Sequence, residues 1–362
     1  MPESKSSSRA LEPQLWITIL AGGVGTRFWP ASTPGRPKQL LPLASERSLI
    51  EETVERALGL AREDRVRILT GSRLLHPFRR VLGELDPSTF LVEPQARGTG
   101  PVLVWAAWSI FREDPSAILV SLHADHAIRP REAFHALVLN AAEVAATTQH
   151  LLTVAVTPTR PETGFGYIQP GEVVARAGDT DAFRVRSFVE KPDAQTAERY
   201  VGSGYLWNSG IFLWRAGLFL EEVRAVAPEL GELIPLLEEG RVEQFFQEAP
   251  VISVDEAVLE RSSRVAFVRA TFEWDDVGSW EALGRTRPLD EDGNVLLGDA
   301  HAVDSCDNVV MAEDGSVVLF GVQGLVVVRS GSIFLVANRD RASELKSLLE
   351  ALPSELRDPE AP

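Results

Sequence analysis

Leu20-Ala21-Gly22-Gly23-Val24-Gly25-Thr26-Arg27-Phe28-Trp29-Pro30-Ala31-Ser32, followed by Arg36-Pro37-Lys38-Gln39, decides how this chain is read. The stretch stands directly after an apolar run, Leu15–Leu20, with the texture of a buried strand. A glycine-rich turn at a strand's end lets backbone N–H groups approach phosphates, and Arg27 and Lys38 add positive charge beside it. Two familiar phosphate loops fail on spacing. A dinucleotide fingerprint needs a third glycine where Phe28 stands. A P-loop needs Gly-Lys-Ser/Thr, whereas the first lysine after these glycines is Lys38.

Outward from this turn, short apolar runs alternate with longer amphipathic segments. Val66–Thr70, Phe90–Val92, Ile118–Leu122 and Leu151–Val156 read as further strands, rich in Ile, Val and Leu. Between them lie predicted helices. Ser48–Leu60 opens with the capping-box pair Ser48 and Glu51; Thr99–Arg112 has Pro101 in its first turn; Arg131–Thr148 follows Pro130. Such alternation predicts an α/β fold with a mainly parallel sheet covered on both faces. Pro158, Pro161, Gly164, Gly166, Pro170 and Gly171 then mark a loop-rich region over a site. Phe183–Val189, Ile211–Trp214 and Val265–Ala270 read as strands again, with helices between Leu218 and Glu260.

The expected organisation is a flexible N-terminus (1–14), a catalytic domain (15–287), a small β-rich C-terminal domain (288–352) and a tail (353–362). Within the C-terminal domain, Asn294 to Val336 holds short β-type runs closed by a helix at Ala342–Leu352, and a rung or two of left-handed β-helix is one reading of it.

Composition narrows the function. Hydrophobic residues are 44% and charged residues 24%, as in a globular chain. Lys plus Arg number 36 against 52 Asp plus Glu, a net charge of −16 that argues against nucleic-acid and anionic-membrane partners. One cysteine, Cys306, allows no intramolecular disulfide and fits a reducing cytosol. The first residues carry no apolar secretory core, and the longest apolar stretch, Val317–Val328, is interrupted by Gly321, Gln323 and Gly324. A soluble, cytoplasmic protein is expected.

Leu20–Gln39 resembles the signature of the sugar-phosphate nucleotidylyltransferases, and Phe28-Trp29-Pro30 is similar to their mannose-1-phosphate guanylyltransferase branch. Glu93–Pro101, Ala124-Asp125-His126, Thr163–Ile168, Phe188–Pro192, Trp207–Phe212 and Trp274–Trp280 resemble further signatures of that branch in the same order. Gly98 and Gly100 replace the Asn and Ala usual in the second signature, and Phe165 stands where Tyr is common.

The resemblance implies a Rossmann-like (GT-A-like) catalytic domain and the reaction of GTP with α-D-mannose 1-phosphate to give GDP-mannose and diphosphate. It implies catalytic roles for Arg27, Lys38, Asp125, Lys191 and Asp276. The nucleotide would lie against Leu20, Ala21, Gly22, Gly23, Gly25, Thr26, Arg27, Lys38, Glu93, Arg97, Thr99 and Asp125. The sugar phosphate would lie against Gly164, Gly166, Glu190, Lys191 and Asn208, with Mg²⁺ on Asp125 and Asp276.

The residues support this on their own chemistry. Two carboxylates from separate strand ends suit a hard cation that bridges phosphate oxygens, with Asp275 the competing neighbour of Asp276. His123 and His126 flank Asp125, but no His-x-x-x-His motif supports a transition-metal cluster, and His126 is read as a brace of the loop. Asn208 both donates and accepts, which suits a sugar diol, and Glu93 could read guanine, cap the helix near Thr99 or pair with Arg97. A phosphate monoester needs no general base, so the absence of a Ser–His or Cys–His pair is consistent.

A nucleotidylyltransferase for another hexose 1-phosphate is the nearest alternative, and a non-catalytic nucleotide-sugar-sensing subunit the second. A GT-A glycosyltransferase would need a clear Asp-x-Asp. The length predicts a single activity with no fused isomerase domain, and a homodimer is compatible with it.

Overall fold

The computed structural model describes residues 15–23 and 25–357. The expected flexible N-terminus, residues 1–14, and the last five residues of the expected tail lie outside that range. The first strands are β1 (Leu15–Leu20), β2 (Val66–Gly71), β3 (Phe90–Glu93), β4 (Ile118–His123) and β5 (Ala127–Arg129). Then come β6 (Leu151–Val156), β7 (Tyr167–Ala177), β8 (Thr180–Val189), β9 (Leu206–Arg215), β10 (Val265–Arg269) and β11 (Glu273–Asp275). The chain closes with β12 (Val295–Val303), β13 (Val309–Phe320), β14 (Leu325–Ser330) and β15 (Ile333–Asn338).

Nine strands form one mixed sheet in the order β3-β2-β1-β4-β9-β6-β10-β8-β7. The block β3-β2-β1-β4 and the pair β6/β10 run parallel, while β9, β8 and β7 run antiparallel to their neighbours. All six residues of β1 are buried, because helices cover both faces. Leu15, Ile17 and Ile19 enter the core beneath Leu49–Leu58, Ser72–Val81 and Arg131–Thr147. Trp16 and Leu20 enter the opposite core beneath Thr99–Glu113. The predicted capping box is present: Ser48 N donates to Glu51 Oε2 at 2.9 Å, and Glu51 N to Ser48 Oγ at 3.4 Å.

Some elements escape the sequence pattern. The helix Ser72–Val81 contains Pro77, and β7 contains Pro170 and Gly171 at register shifts on the sheet's edge, where proline is tolerated. β9 begins at Leu206, five residues before the predicted run, so Asn208 lies within a strand.

In the C-terminal region β12, β13 and β14 stack in parallel and β15 pairs antiparallel with β14. Buried asparagines link successive turns: Asn294 Oδ1 accepts from Asn308 N at 3.0 Å, and Asn308 Oδ1 from Leu325 N at 2.9 Å. The inner face, with Val295, Val309, Met311, Val326 and Val328, packs in one cluster with Phe28, Trp29, Leu41, Val277 and Trp280. This sheet therefore buttresses the glycine loop and the Trp274–Trp280 turn together. No helix among the described residues is long and apolar enough to cross a membrane.

Candidate active site

The glycine loop leaves β1 at the C-terminal end of the parallel block, where α/β sheets bind ligands. Leu20 and Ala21 are buried, whereas Gly22, Gly23, Thr26 and Arg27 are exposed. Gly25 adopts φ 75, and a Cβ there would lie 2.5 Å from Lys38 Cγ. Only glycine lets the lysine stem cross so closely in that conformation. The stem delivers Lys38 Nζ to 2.9 Å from Asp125 Oδ2, and the ammonium also donates to the carbonyls of Asp276 at 3.3 Å and Val277 at 3.1 Å. Gln39 Nε2 holds the loop from the same side by donating to Gly23 O at 3.0 Å.

Asp125 follows β4 and Asp276 follows β11, and Lys38 joins their two loops. Burial alone would raise the Asp125 carboxyl, but the adjacent Lys38 ammonium holds it down, to about 2. Burial pushes Asp276 up to about 6, against the pull of Lys38 and with the repulsion of Asp275 and Asp125 added. Asp275 is engaged elsewhere. Its oxygens accept from Arg285 Nε at 2.6 Å, Arg285 Nη2 at 3.3 Å and Val277 N at 2.9 Å. Val277, a β-branched residue with φ 44, carries the strain of this turn.

His123, Asp125 and His126 can bring one ligand atom each within 4.8 Å of one another. His126 is nevertheless committed. Its Nδ1 accepts from Trp274 Nε1 at 3.1 Å, its ring stacks on His123 with centroids 4.7 Å apart, and its carbonyl accepts from Arg56 Nη2 at 2.9 Å. Burial lowers the pKa of both imidazoles. Two carboxylates and a lysine ammonium standing in as the cation between their loops fit a hard divalent ion better than an imidazole-bound one.

Glu93 ends β3 with only 8% of its surface exposed and no hydrogen-bond or ion-pair partner among the described residues. Burial pushes its carboxyl up to about 7. It lies against the glycine loop, its Oε1 3.4 Å from where a Cβ on Gly22 would stand. The alternative in which Glu93 pairs with Arg97 is not seen. Arg97 donates instead to Phe246 O at 2.8 Å, Gln247 O at 2.9 Å and Gln95 Oε1 at 3.0 Å. Thr99 Oγ1 likewise accepts from Val254 N at 3.0 Å. Both side chains, expected at the nucleotide, instead tie their loop to residues 246–254. Gly98, with φ 86, packs on the same segment: a Cβ there would lie 2.6 Å from Ile252 O.

At the other end of the site, Gly166 lies under Glu190, whose Oε2 would be 2.6 Å from a Cβ on that glycine. Glu190 Oε1 is 2.7 Å from Lys191 Nζ, while Glu190 Oε2 is buried without a partner. Lys191, at φ 47, is the second strained residue of the site, and its side chain is 61% exposed. Gly164 is exposed, its N–H donating to Glu162 Oε1 at 3.2 Å. Asn208 corrects the expectation of a free donor and acceptor. Its Oδ1 is occupied by Thr153 Oγ1 at 2.6 Å and Gly210 N at 3.4 Å, so its amide faces the site as a donor. That donor reaches Asp255 Oδ1 at 2.8 Å. Asp255 was not among the expected site residues. In sequence it sits inside Ser253-Val254-Asp255-Glu256, which looks like the acidic first turn of an ordinary helix.

Residues 17–293 match the family model described as Nucleotidyl transferase, and residues 298–352 the one described as MannoseP isomerase/GMP-like beta-helix domain. A mannose-1-phosphate guanylyltransferase of Escherichia coli (strain K12) is 37% identical over 360 residues, which cover 96% of this chain and 75% of that protein. Another, from Klebsiella pneumoniae, is 36% identical over 351 residues, covering 94% and 74%. Among solved structures, a Thermus thermophilus protein described as a mannose-1-phosphate geranyltransferase superposes with a TM-score of 0.85 at 33% identity, over 93% of this chain and 99% of that one.

Proposed function

Because the chain belongs to the nucleotidyl transferase family, we infer that it is a mannose-1-phosphate guanylyltransferase, converting GTP and α-D-mannose 1-phosphate to GDP-mannose and diphosphate. The observation that carries the mechanism is the junction of Lys38 with Asp125 and the Asp276–Val277 carbonyls, at the mouth of the glycine loop. A phosphate oxygen of the sugar phosphate attacks the α-phosphorus of GTP in line. The bond from that phosphorus to the β-phosphate bridging oxygen breaks, and diphosphate leaves. The nucleophile is already ionised near neutrality, since a phosphate monoester has its second pKa at ~6, so no side chain has to remove a proton.

Two anions must be brought together and charge builds on the leaving group, so catalysis is positioning and electrostatic stabilisation. Exposed Arg27 and the loop N–H groups meet the triphosphate, and Lys38 swings from Asp125 to the phosphates. Lys191 meets the incoming sugar phosphate, and Glu190 and Asn208 hold the hexose. Asp125 and Asp276 would hold a divalent cation, Mg²⁺ by the hardness of its ligands, which supplies charge neutralisation at the α-phosphate. Glu93 supports guanine over adenine. The reading puts the enzyme in the cytoplasm, where nucleoside triphosphates are available, and is compatible with a homodimer.

The test is diphosphate release measured across pairs of nucleoside triphosphates and hexose 1-phosphates. GTP with mannose 1-phosphate is expected to give the highest kcat/KM. A clear preference for another sugar or base would replace this assignment by that one.

A further inference from the structure

The segment that carries Asp255 is fastened to the second signature loop at several points. Ile252 N donates to Arg97 O at 3.1 Å, Gly100 N to Ile252 O at 3.1 Å, and Val254 N to Thr99 Oγ1 at 3.0 Å. Any side chain at Gly98 or Gly100 would crowd this contact, with a Cβ 2.6 Å and 3.0 Å from Ile252 O respectively. The two glycines that depart from the usual signature are thus the ones that let this segment pack against residues 97–100. Its next residue, Asp255, opens a short π-helical turn, Asp255–Leu259, and points at Asn208.

We propose that Asp255 is a direct ligand of the hexose, accepting a hydroxyl hydrogen across the site from Glu190. The sugar would then be gripped by Asp255, Glu190 and the Asn208 amide, with Lys191 on its phosphate. This deepens the hexose 1-phosphate reading above and rests on it.

Three observations carry the assignment. First, the one side-chain hydrogen bond of Asp255 among the described residues is with Asn208, itself an expected sugar ligand, and it neither caps the helix nor carries an ion pair. The helix-start cap is made by Ser253, whose Oγ accepts from Glu256 N at 3.1 Å, and the ion pair of Lys191 is with Glu190. Second, Asp255 lies near enough to Glu190 to feel its charge, and the lysine beside them, Lys191, is paired with Glu190. Burial and the charge of Glu190 both push the Asp255 carboxyl up. An arrangement that disfavours folding persists where it serves a ligand, and a polyol supplies the O–H donors that both carboxylates lack. Third, the donors and acceptors around Asp255 and Glu190 are already sorted. Thr153 fixes the Asn208 amide with its N–H groups toward Asp255, and Glu190 Oε2 is buried without a partner.

The experiment is steady-state kinetics of the full chain and of Asp255→Asn, varying each substrate separately. Asn keeps the volume and one acceptor for Asn208, so the fold is expected to hold. Losing a charge-assisted hydrogen bond should raise KM for mannose 1-phosphate by ~10–100-fold, with KM for GTP within about twofold of wild type. Mannose 1-phosphates lacking one hydroxyl at a time identify the contact. One deoxy sugar should lose much in wild type and little further in the variant. If Asp255→Asn folds poorly, Asp255→Glu, which keeps the charge and shifts the oxygens, should show the same KM split.

An unchanged KM for the sugar phosphate, an equal loss toward both substrates, or losses that add for every deoxy sugar would overturn the assignment. Wild type that turns over a different hexose 1-phosphate would overturn the mannose reading alone, and Asp255→Asn is then measured with that sugar.

Discussion

Lys38 Nζ sits 2.9 Å from Asp125 Oδ2 while donating to the carbonyls of Asp276 and Val277, so one ammonium joins three segments of the site. Its side chain is only 12% exposed. There it neutralises the Asp125 carboxylate. Substrate phosphates and a cation on the two aspartates would compete for both ends of this contact. The lysine is therefore structural before binding and electrostatic after it.

Lys38→Ala should lower diphosphate release by orders of magnitude. From sequence alone, a lysine in a Pro- and Gly-rich loop is expected to contribute little to folding. Its burial revises that expectation: removing it leaves Asp125 and two carbonyls without their donor, an expected loss of ~1–3 kcal/mol. Denaturant melts with and without Mg²⁺ check this, and the metal should restore part of the loss. Unchanged turnover would overturn the role of Lys38.

The neighbours Asp275 and Asp276 should separate cleanly. If the two aspartates hold the cation as proposed, Asp276→Asn and Asp125→Asn should each abolish Mg²⁺-dependent activity, because each would remove a hard anionic ligand. Asp275→Asn should keep the metal dependence but melt earlier, since Arg285 loses its carboxylate. The stability sign for Asp276 is opposite. Its carboxyl is raised to about 6 from 3.8, so the folded state holds the proton more tightly, and wild-type stability falls as pH rises through that window. Asp276→Asn should therefore be at least as stable as wild type at pH 8 while inactive. Thermal melts at pH 5 and 8 decide it.

Trp280 tests whether the C-terminal sheet supports catalysis. It is fully buried, packs edge-on to Phe28 at 5.0 Å and donates to Trp29 O at 3.3 Å. Trp280→Phe should cost a few kcal/mol at most and mainly raise KM for GTP, because the glycine loop loses its prop. A stability loss with unchanged KM would make the contact purely structural.

The sequence reveals the parallel half of the sheet because its strands are Ile-, Val- and Leu-rich runs buried on both faces; β1 and β6 match their predicted limits. The antiparallel half is less legible. β7 breaks its own pattern with Pro170 and Gly171, and the apolar run of β9 is interrupted near its start by Asn208 and Ser209, polar residues that are nonetheless buried. The same division runs through the site. Lys38, Asp125, Asp276 and Glu190 announce themselves by chemistry in a recognisable pattern. Arg97 and Thr99 carry the right chemistry but serve the loop, and only the fold reveals that Ile252 and Val254 lie against them. Asp255 is silent in sequence because its partner Asn208, on β9, and its charged neighbour Glu190, just after β8, lie far from it along the chain.

Glu93 carries the prediction about the base. Guanine presents N1–H and the exocyclic N2–H₂ on one edge, and one carboxylate can accept from both. Adenine has no donor at N1, so facing it would leave the buried carboxylate unsatisfied, a penalty of ~1–3 kcal/mol. The competing roles are weakened by geometry, since Arg97 bonds to carbonyls at 246 and 247 and the helix start at Gly98 has no side-chain cap. Burial raises the Glu93 carboxyl from 4.5 to about 7, which fixes the sign of its pH effects. The ligand-free fold favours the protonated form, so its stability declines as pH rises from the ordinary carboxyl range through about 7. Glu93→Gln should therefore stabilise the free protein at pH 8 and leave it unchanged at pH 4. Guanine, in contrast, needs the carboxylate. GTP affinity should rise between pH 6 and 8 beyond the change seen with ATP, whose phosphates titrate alike, and that excess should vanish in Glu93→Gln. The decisive quantity is the ratio of kcat/KM for GTP to that for ATP, which should be large in wild type and collapse in Glu93→Ala. If both nucleotides lose equally, Glu93 shapes the loop and the backbone of residues 94–100 reads the base.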